Sequence, residues 1–122
     1  MVDGIPRLIL RLEGLALLAA GIIAFSTTGQ SWWLSAILFL VPDLSFAAYL
    51  FGPRVGAMGY NLLHSTVLPL TLGIAGFLVS SPVAMAVAAI WLSHIGFDRA
   101  LGYGLKYPTA FHDTHLGRIG KR

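Results

Sequence analysis

The sequence predicts an all-α membrane protein, a four-transmembrane-helix bundle running up-down-up-down. Three observations carry that expectation. Charged residues are 11% of the 122, where a soluble domain carries about 25%. Hydrophobic residues are 57% and mean hydropathy is +0.79, so a soluble fold would lack the polar side chains to cover itself. The apolar residues are also gathered into four long runs divided by short breaks.

The runs are Leu8 to Phe25, Trp32 to Phe51, Val55 to Val79 and Val83 to Tyr103. Each approaches the ~20 residues a helix needs to cross a hydrocarbon core of about 30 Å. Thr27-Thr28-Gly29-Gln30-Ser31 is the first break, and Trp32-Trp33 then sits where an aromatic belt anchors a helix. Gly52-Pro53-Arg54 is the second. Ser80-Ser81-Pro82 is the third, with Ser81 placed as an N-cap and Pro82 as the first helical residue. Connections this short force antiparallel neighbours.

Orientation follows from the basic residues. Arg7, Arg11, Arg54, Arg99, Lys106, Arg118, Lys121 and Arg122 all fall on one side of a four-span topology and exhaust the Lys and Arg of the chain. The positive-inside rule puts that side, with both termini, in the cytoplasm, as expected for a bacterial inner membrane. The first run is read as an uncleaved span, because Asp3 and Glu13 interrupt its basic start. The expected division is a transmembrane domain over residues 1–104 and a polar cytoplasmic tail over 105–122.

Several function classes drop out. With no cysteine there is no disulfide, thiol chemistry or cysteine-ligated metal. No Gly-rich phosphate loop and no Ser/His/Asp elbow is present. The net charge of +3 is spread over helix ends, which signals topology and not nucleic-acid binding. The expected partner is the lipid bilayer.

Ionisable residues inside a membrane are costly and usually face the bundle interior. Here they are Glu13, Asp43, His64, His94 and Asp98, on all four runs. At about 1.5 Å per residue, Glu13 and Asp98 lie roughly 8 Å deep, and Asp43, His64 and His94 roughly 12 to 15 Å. One slab thus receives a polar group from every helix. His94 and Asp98, four apart, share a helical face, as do Asn61 and His64, three apart. Pro42 and Pro69 flank the slab and can bend their helices. Such a His/carboxylate set can bind zinc, iron or manganese and activate water. Each residue also has a plainer reading. Glu13 can pair with Arg11 or Arg54, Asn61 can bond between helices, and Asp98 can be a helix-end charge. In the tail, His112, Asp113 and His115 are candidate ligands by folding back, though an exposed position is the simpler expectation.

The strings Arg11-Leu12-Glu13-Gly14, Pro42-Asp43-Leu44-Ser45, Gly52-Pro53-Arg54-Val55-Gly56, Tyr60-Asn61-Leu62-Leu63-His64 and His94-Ile95-Gly96-Phe97-Asp98-Arg99 resemble a bacterial membrane family, domain of unknown function 4260. The tail from Gly102 to Gly117 resembles it too. This likeness implies a fold and no activity. A shorter, discontinuous set is similar to the membrane-bound metal-dependent hydrolases: Pro42-Asp43, His64-Ser65, Ser93-His94 with Asp98, then Tyr103-Gly104 and Pro108. It implies Asp43, His64, His94 and Asp98 as metal residues. The second acid and the His-Arg-Gly of those hydrolases are absent here.

Four functions remain open. A metal-dependent hydrolase would take a lipid or lipid-linked ester, with Glu13 as candidate general base. Bis-histidine haem binding would use His64 and His94. A transporter lacks ionisable residues in the outer halves of the helices. A small scaffold or partner subunit would use the polar slab only for packing. Gly21, Gly73 and Gly76 permit close helix contacts within the chain or in a homo-oligomer.

Overall fold

The computed structural model describes residues 1–120; Lys121 and Arg122, counted above among the basic residues, lie outside them. Helix α1 is Gly4–Ser26. Helix α2, Trp32–Leu40, continues as a 3-10 helix over Val41–Phe51. Helices α3 (Pro53–His64), α4 (Val67–Leu78) and α5 (Pro82–Leu101) follow, then a small hairpin of β1 (Asp113–Thr114) and β2 (Gly117–Arg118). The hairpin is antiparallel, with Asp113 opposite Arg118 and Thr114 opposite Gly117.

Four stretches, Gly4–Ser26, Trp32–Phe51, Pro53–Leu78 and Pro82–Leu101, are long and apolar enough to cross a membrane. Large apolar side chains stand uncovered along them, among them Leu50 at 86% exposure and Trp33 at 81%. Lipid tails can cover such a surface and water cannot do so cheaply. The protein is an all-α membrane bundle.

The core sits on α5, whose buried residues run from Ala86 to Gly96. Helices α1, α2 and α4 pack on α5, whereas α3 packs on the 3-10 helix. Small residues set the α1–α5 approach. A Cβ on Gly96 would meet the Gly14 carbonyl and the Leu18 nitrogen at 2.5 Å, and one on Gly21 would meet Ser93. Gly73 and Gly76 face Ala88 and Ala84 in the same way. The close contacts expected of these glycines are thus made within the chain, where backbone proximity replaces the missing hydrophobic drive. The Ser93 hydroxyl adds a bond across that seam to the Leu18 carbonyl at 3.3 Å.

Helix ends follow the local chemistry. Ser31 caps α2 by accepting from the Trp33 N–H at 3.2 Å, and Ser81 caps α5 by accepting from Ala84 at 3.2 Å with Pro82 next. At the other end of α5, Gly102 takes φ 92°. Its N–H bonds to the Arg99 carbonyl at 3.0 Å, and that of Tyr103 to the Asp98 carbonyl at 2.7 Å. This Schellman turn sends the chain back across the end of the bundle at which α1 starts, where the His115 carbonyl accepts from Val2.

Two spans are broken where their prolines fall. In the second, the Val41 N–H bonds the Leu38 carbonyl three residues back, because Pro42 brings no N–H to continue the α-helix. The 3-10 course then runs to Phe51, far beyond the usual few residues of such a helix. In the third, a Pro69 ring in continuous helix would strike the Ser65 carbonyl four residues earlier. Ser65 accordingly swings to an extended ψ of 148°, and α4 restarts at Val67.

Candidate metal centre

The breaks leave backbone carbonyls without helical donors, and side chains of α5 take them. In 3-10 register the donor to the Phe39 carbonyl is residue 42, a proline; the His94 Nδ1–H donates there instead, at 2.5 Å. The Leu63 carbonyl, at the end of α3, accepts from Trp91 Nε1 at 2.7 Å. That of His64 accepts from Arg99 Nη2 at 3.2 Å. His64 Nδ1 donates to the Tyr60 carbonyl at 2.9 Å, and its ring stacks on the Tyr60 ring at 3.7 Å between centroids and 5° between planes.

These bonds fix the tautomers. A carbonyl only accepts, so each Nδ1 carries the proton and each Nε2 presents a lone pair. The two Nε2 atoms face each other at 3.2 Å. Asp43 Oδ1 lies 3.1 Å from that of His94 and 3.4 Å from that of His64. Asp98 Oδ2 lies 3.3 Å and 3.4 Å from the same two atoms. All four donor atoms are within 4.8 Å of one another. With both imidazoles neutral, these four atoms are all acceptors.

Spacing identifies what fits. A tetrahedral ion about 2.0 to 2.1 Å from each ligand atom holds those atoms about 3.3 Å apart. Five of the six separations bracket that value, and the sixth, between the two carboxylates, is wider but within 4.8 Å. A nitrogen and oxygen set suits zinc, iron or manganese. Each histidine also has the backbone-bonded second nitrogen that orients metal-binding imidazoles. Haem does not fit, since a macrocycle between the imidazoles would occupy the place of the two carboxylates.

Burial is uneven around the centre. Both histidine side chains are 3% exposed and that of Asp98 14%, but that of Asp43 is 40% exposed. Asp43 and Asp98 form one wall of a cavity of about 370 Å³, which Tyr60, Phe97, Lys106 and Phe111 also line. The Tyr60 hydroxyl donates weakly to Asp98 Oδ2 at 3.5 Å.

The tail closes the cavity from the terminal end. Asn61 grips its backbone twice: Nδ2 donates to the Lys106 carbonyl at 2.8 Å, and the Lys106 N–H donates to Oδ1 at 2.6 Å. The His115 ring accepts from the Leu105 N–H at 2.9 Å, and its carbonyl accepts from Val2 at 2.8 Å. Burial, with Arg99 nearby, pulls His115 below its ordinary range, which suits that acceptor role. Arg7 donates to the Leu116 carbonyl, and Arg11 to that of Ala100 at 2.9 Å.

Residues 7–119 match the family described as a domain of unknown function, DUF4260. The chain belongs to that family. No curated protein matches it, and no solved structure does.

Within this DUF4260 chain, Asp43, His64, His94 and Asp98 come together and the other sequence candidates do not join them. The slab expected from four helices draws on three spans only. Glu13 is exposed on α1, beside Gly14, which packs against Arg99 and Gly96. It makes no ion pair with Arg11 or Arg54 among the described residues, so that expectation is corrected. Close packing of α1 on α5 turns its glycine face inward and the Glu13 carboxylate out. Asn61 bonds the tail and not a neighbouring helix. His112 is exposed, His115 is held by the tail backbone, and Asp113 accepts from Thr109 and faces Arg118.

Sequence reasoning missed Tyr60, Trp91 and Lys106. Tyr60 was detectable, lying four residues before His64 and hence on its face. Arg99, read as a topology signal, also secures the broken end of α3. Lys106 had no local signal, since its partners lie on α3 and farther along the tail.

Proposed function

We propose that this membrane protein holds one divalent ion between His64, His94, Asp98 and Asp43, and hydrolyses an ester reaching the centre from the bilayer. One observation carries the reading: two imidazole nitrogens and two carboxylate oxygens from three spans converge within 4.8 Å, five of their six separations at the spacing of a tetrahedral ion. Acceptors gathered this closely, three of the four residues buried, are unfavourable unless a cation or protons sit among them.

A divalent ion there would supply a Lewis acid and a nucleophile from water near neutral pH. The chain's own residues divide the remaining work. The imidazoles, locked by the Phe39 and Tyr60 carbonyls, keep their lone pairs aimed inward. Asp98 is the buried anchor. Asp43 is the donor open to the cavity; released from the ion, it would leave three protein ligands and room for water, and its carboxylate would be placed to take the proton of the attacking water. The proton then passes to the alcohol leaving as the ester bond breaks. That role falls to Asp43 because Glu13 lies outside the group. The Pro42-Asp43, His64-Ser65 and Ser93-His94 strings support this reading by their likeness to membrane-bound metal-dependent hydrolases.

The same proposal sets the protein in a bacterial inner membrane with both termini cytoplasmic. It rests on Arg7, Arg11, Arg54, Arg99, Lys106 and Arg118 lying toward one end.

Elemental analysis of detergent-purified protein tests the reading. It should find about one divalent ion per chain, lost in His64→Ala and His94→Ala. Ester hydrolysis should stop with a chelator and return with zinc. Metal-free protein, or metal retained in both histidine variants, would leave only a scaffold whose polar residues fix packing.

A further inference from the structure

The cavity beside Asp43 and Asp98 contains a cation whose pairing is incomplete. Lys106 is 4% exposed although it belongs to the polar tail. Its Nζ donates to the Phe111 carbonyl at 2.7 Å and lies 3.7 Å from the Phe111 centroid and 4.8 Å from that of Tyr60. An ammonium has three N–H donors, and one is used. Among the described residues Lys106 makes no ion pair. Burial brings it down to about 8 from 10.5, as befits an ammonium short of a counter-ion.

The lining of the cavity points the same way. Phe46 of the 3-10 helix and Phe97 and Leu101 of α5 line it and are 39%, 40% and 47% exposed. All three belong to segments long and apolar enough to cross a membrane, so their uncovered surface suits lipid tails. On the same lining stands Lys106, without an ion pair among the described residues.

We propose that the cavity binds the phosphate group of a membrane-borne phosphate ester, with Lys106 holding the anion and the apolar body entering between the 3-10 helix and α5. This rests on the metal reading, because a divalent ion offsets the two carboxylates and leaves Lys106 as the net charge of the wall. Phosphate suits it better than carboxylate. A phosphate monoester carries about −1.5 to −2 near neutral pH, more than a carboxylate, and an ammonium meets it as a point charge.

Calorimetric titration of the zinc-supplemented protein in neutral detergent tests the proposal. The probes are dioctanoyl phosphatidic acid, dioctanoylglycerol and inorganic phosphate. The phosphatidic acid should bind about tenfold or more tighter than the neutral lipid. Lys106→Met should erase the difference, and Lys106→Arg should keep it. Equal binding of the two lipids by the wild-type chain overturns the proposal, and so does a preference that survives Lys106→Met. Inorganic phosphate binding as tightly as the phosphatidic acid overturns the lipid source. Should Lys106→Met fail to fold, the wild-type comparison still decides. Metal content is measured on the same samples. Metal present without a phosphate preference overturns this inference alone; absence of metal overturns the proposed function and this inference with it.

Discussion

The seam between α1 and α5 and the half built from the 3-10 helix and α3 use their backbones in opposite ways. Along the seam both helices are regular. Gly14, Gly21 and Gly96 let them touch, and the side chains inside are small or apolar. The titratable residues that touch it, Arg11 and Arg99, lie at the end where α1 starts. In the other half Pro42 and the Ser65 break expose the carbonyls of Phe39, Leu63 and His64, and donors on α5 take them. A carbonyl freed inside a membrane must find a partner. Here one such partner, His94, is itself a member of the cluster. Breaking a helix and aiming a histidine are a single structural event at that position.

The contrast can be broken first at the seam. Gly96→Leu should cost about 3 kcal/mol or more, since its Cβ alone would collide with backbone that cannot yield. Unfolding in a detergent titration reads this out, and a normal transition would mean that close contact is not what holds α1. The next largest effect belongs to Pro42→Ala. It returns an N–H that competes with His94 for the Phe39 carbonyl. Metal affinity, read by competition with a chelator, should fall about 10- to 100-fold while the fold persists. An unchanged affinity would separate the helix break from the aim of His94.

Smaller effects sharpen the picture. Lys106 is brought to about 8 in the fold from 10.5. The folded chain therefore binds fewer protons than the unfolded one between about pH 8 and 10.5, so stability rises with pH across that window. The cost of the buried charge is full below it. Protection of the tail amides from hydrogen exchange, taken relative to the intrinsic rate at each pH, should rise over that range, and Lys106→Met should flatten the response. Ser93→Ala, which removes one bond across the regular seam, should cost only about 0.6 kcal/mol and leave metal content alone.

The architecture was legible in the sequence because a membrane dictates it: span length, short turns and the Ser81-Pro82 start follow from rules with few exceptions. The sites of disturbance were legible too, since Pro42 and Pro69 announce themselves. How far each disturbance would run was not. Nothing local says that the chain after Pro42 keeps a 3-10 course to Phe51. His94 and Asp98 could be paired from spacing, and Asp43 and His64 added from depth. Glu13 shows where depth fails. It gives height in the membrane but not which face looks inward, and with lipid and core both apolar the hydrophobic pattern cannot supply that angle. Lys106 and Asn61 meet across the folded tail, a contact between distant segments with no signature in either.

The most direct measurement is a zinc-edge X-ray absorption spectrum of the reconstituted protein. Two imidazole nitrogens and carboxylate oxygen at about 2.0 to 2.1 Å, with the imidazole signal lost in His94→Ala, are the expected result. A spectrum of oxygen ligands alone, identical in wild type and His94→Ala, would contradict a metal centre at this cluster.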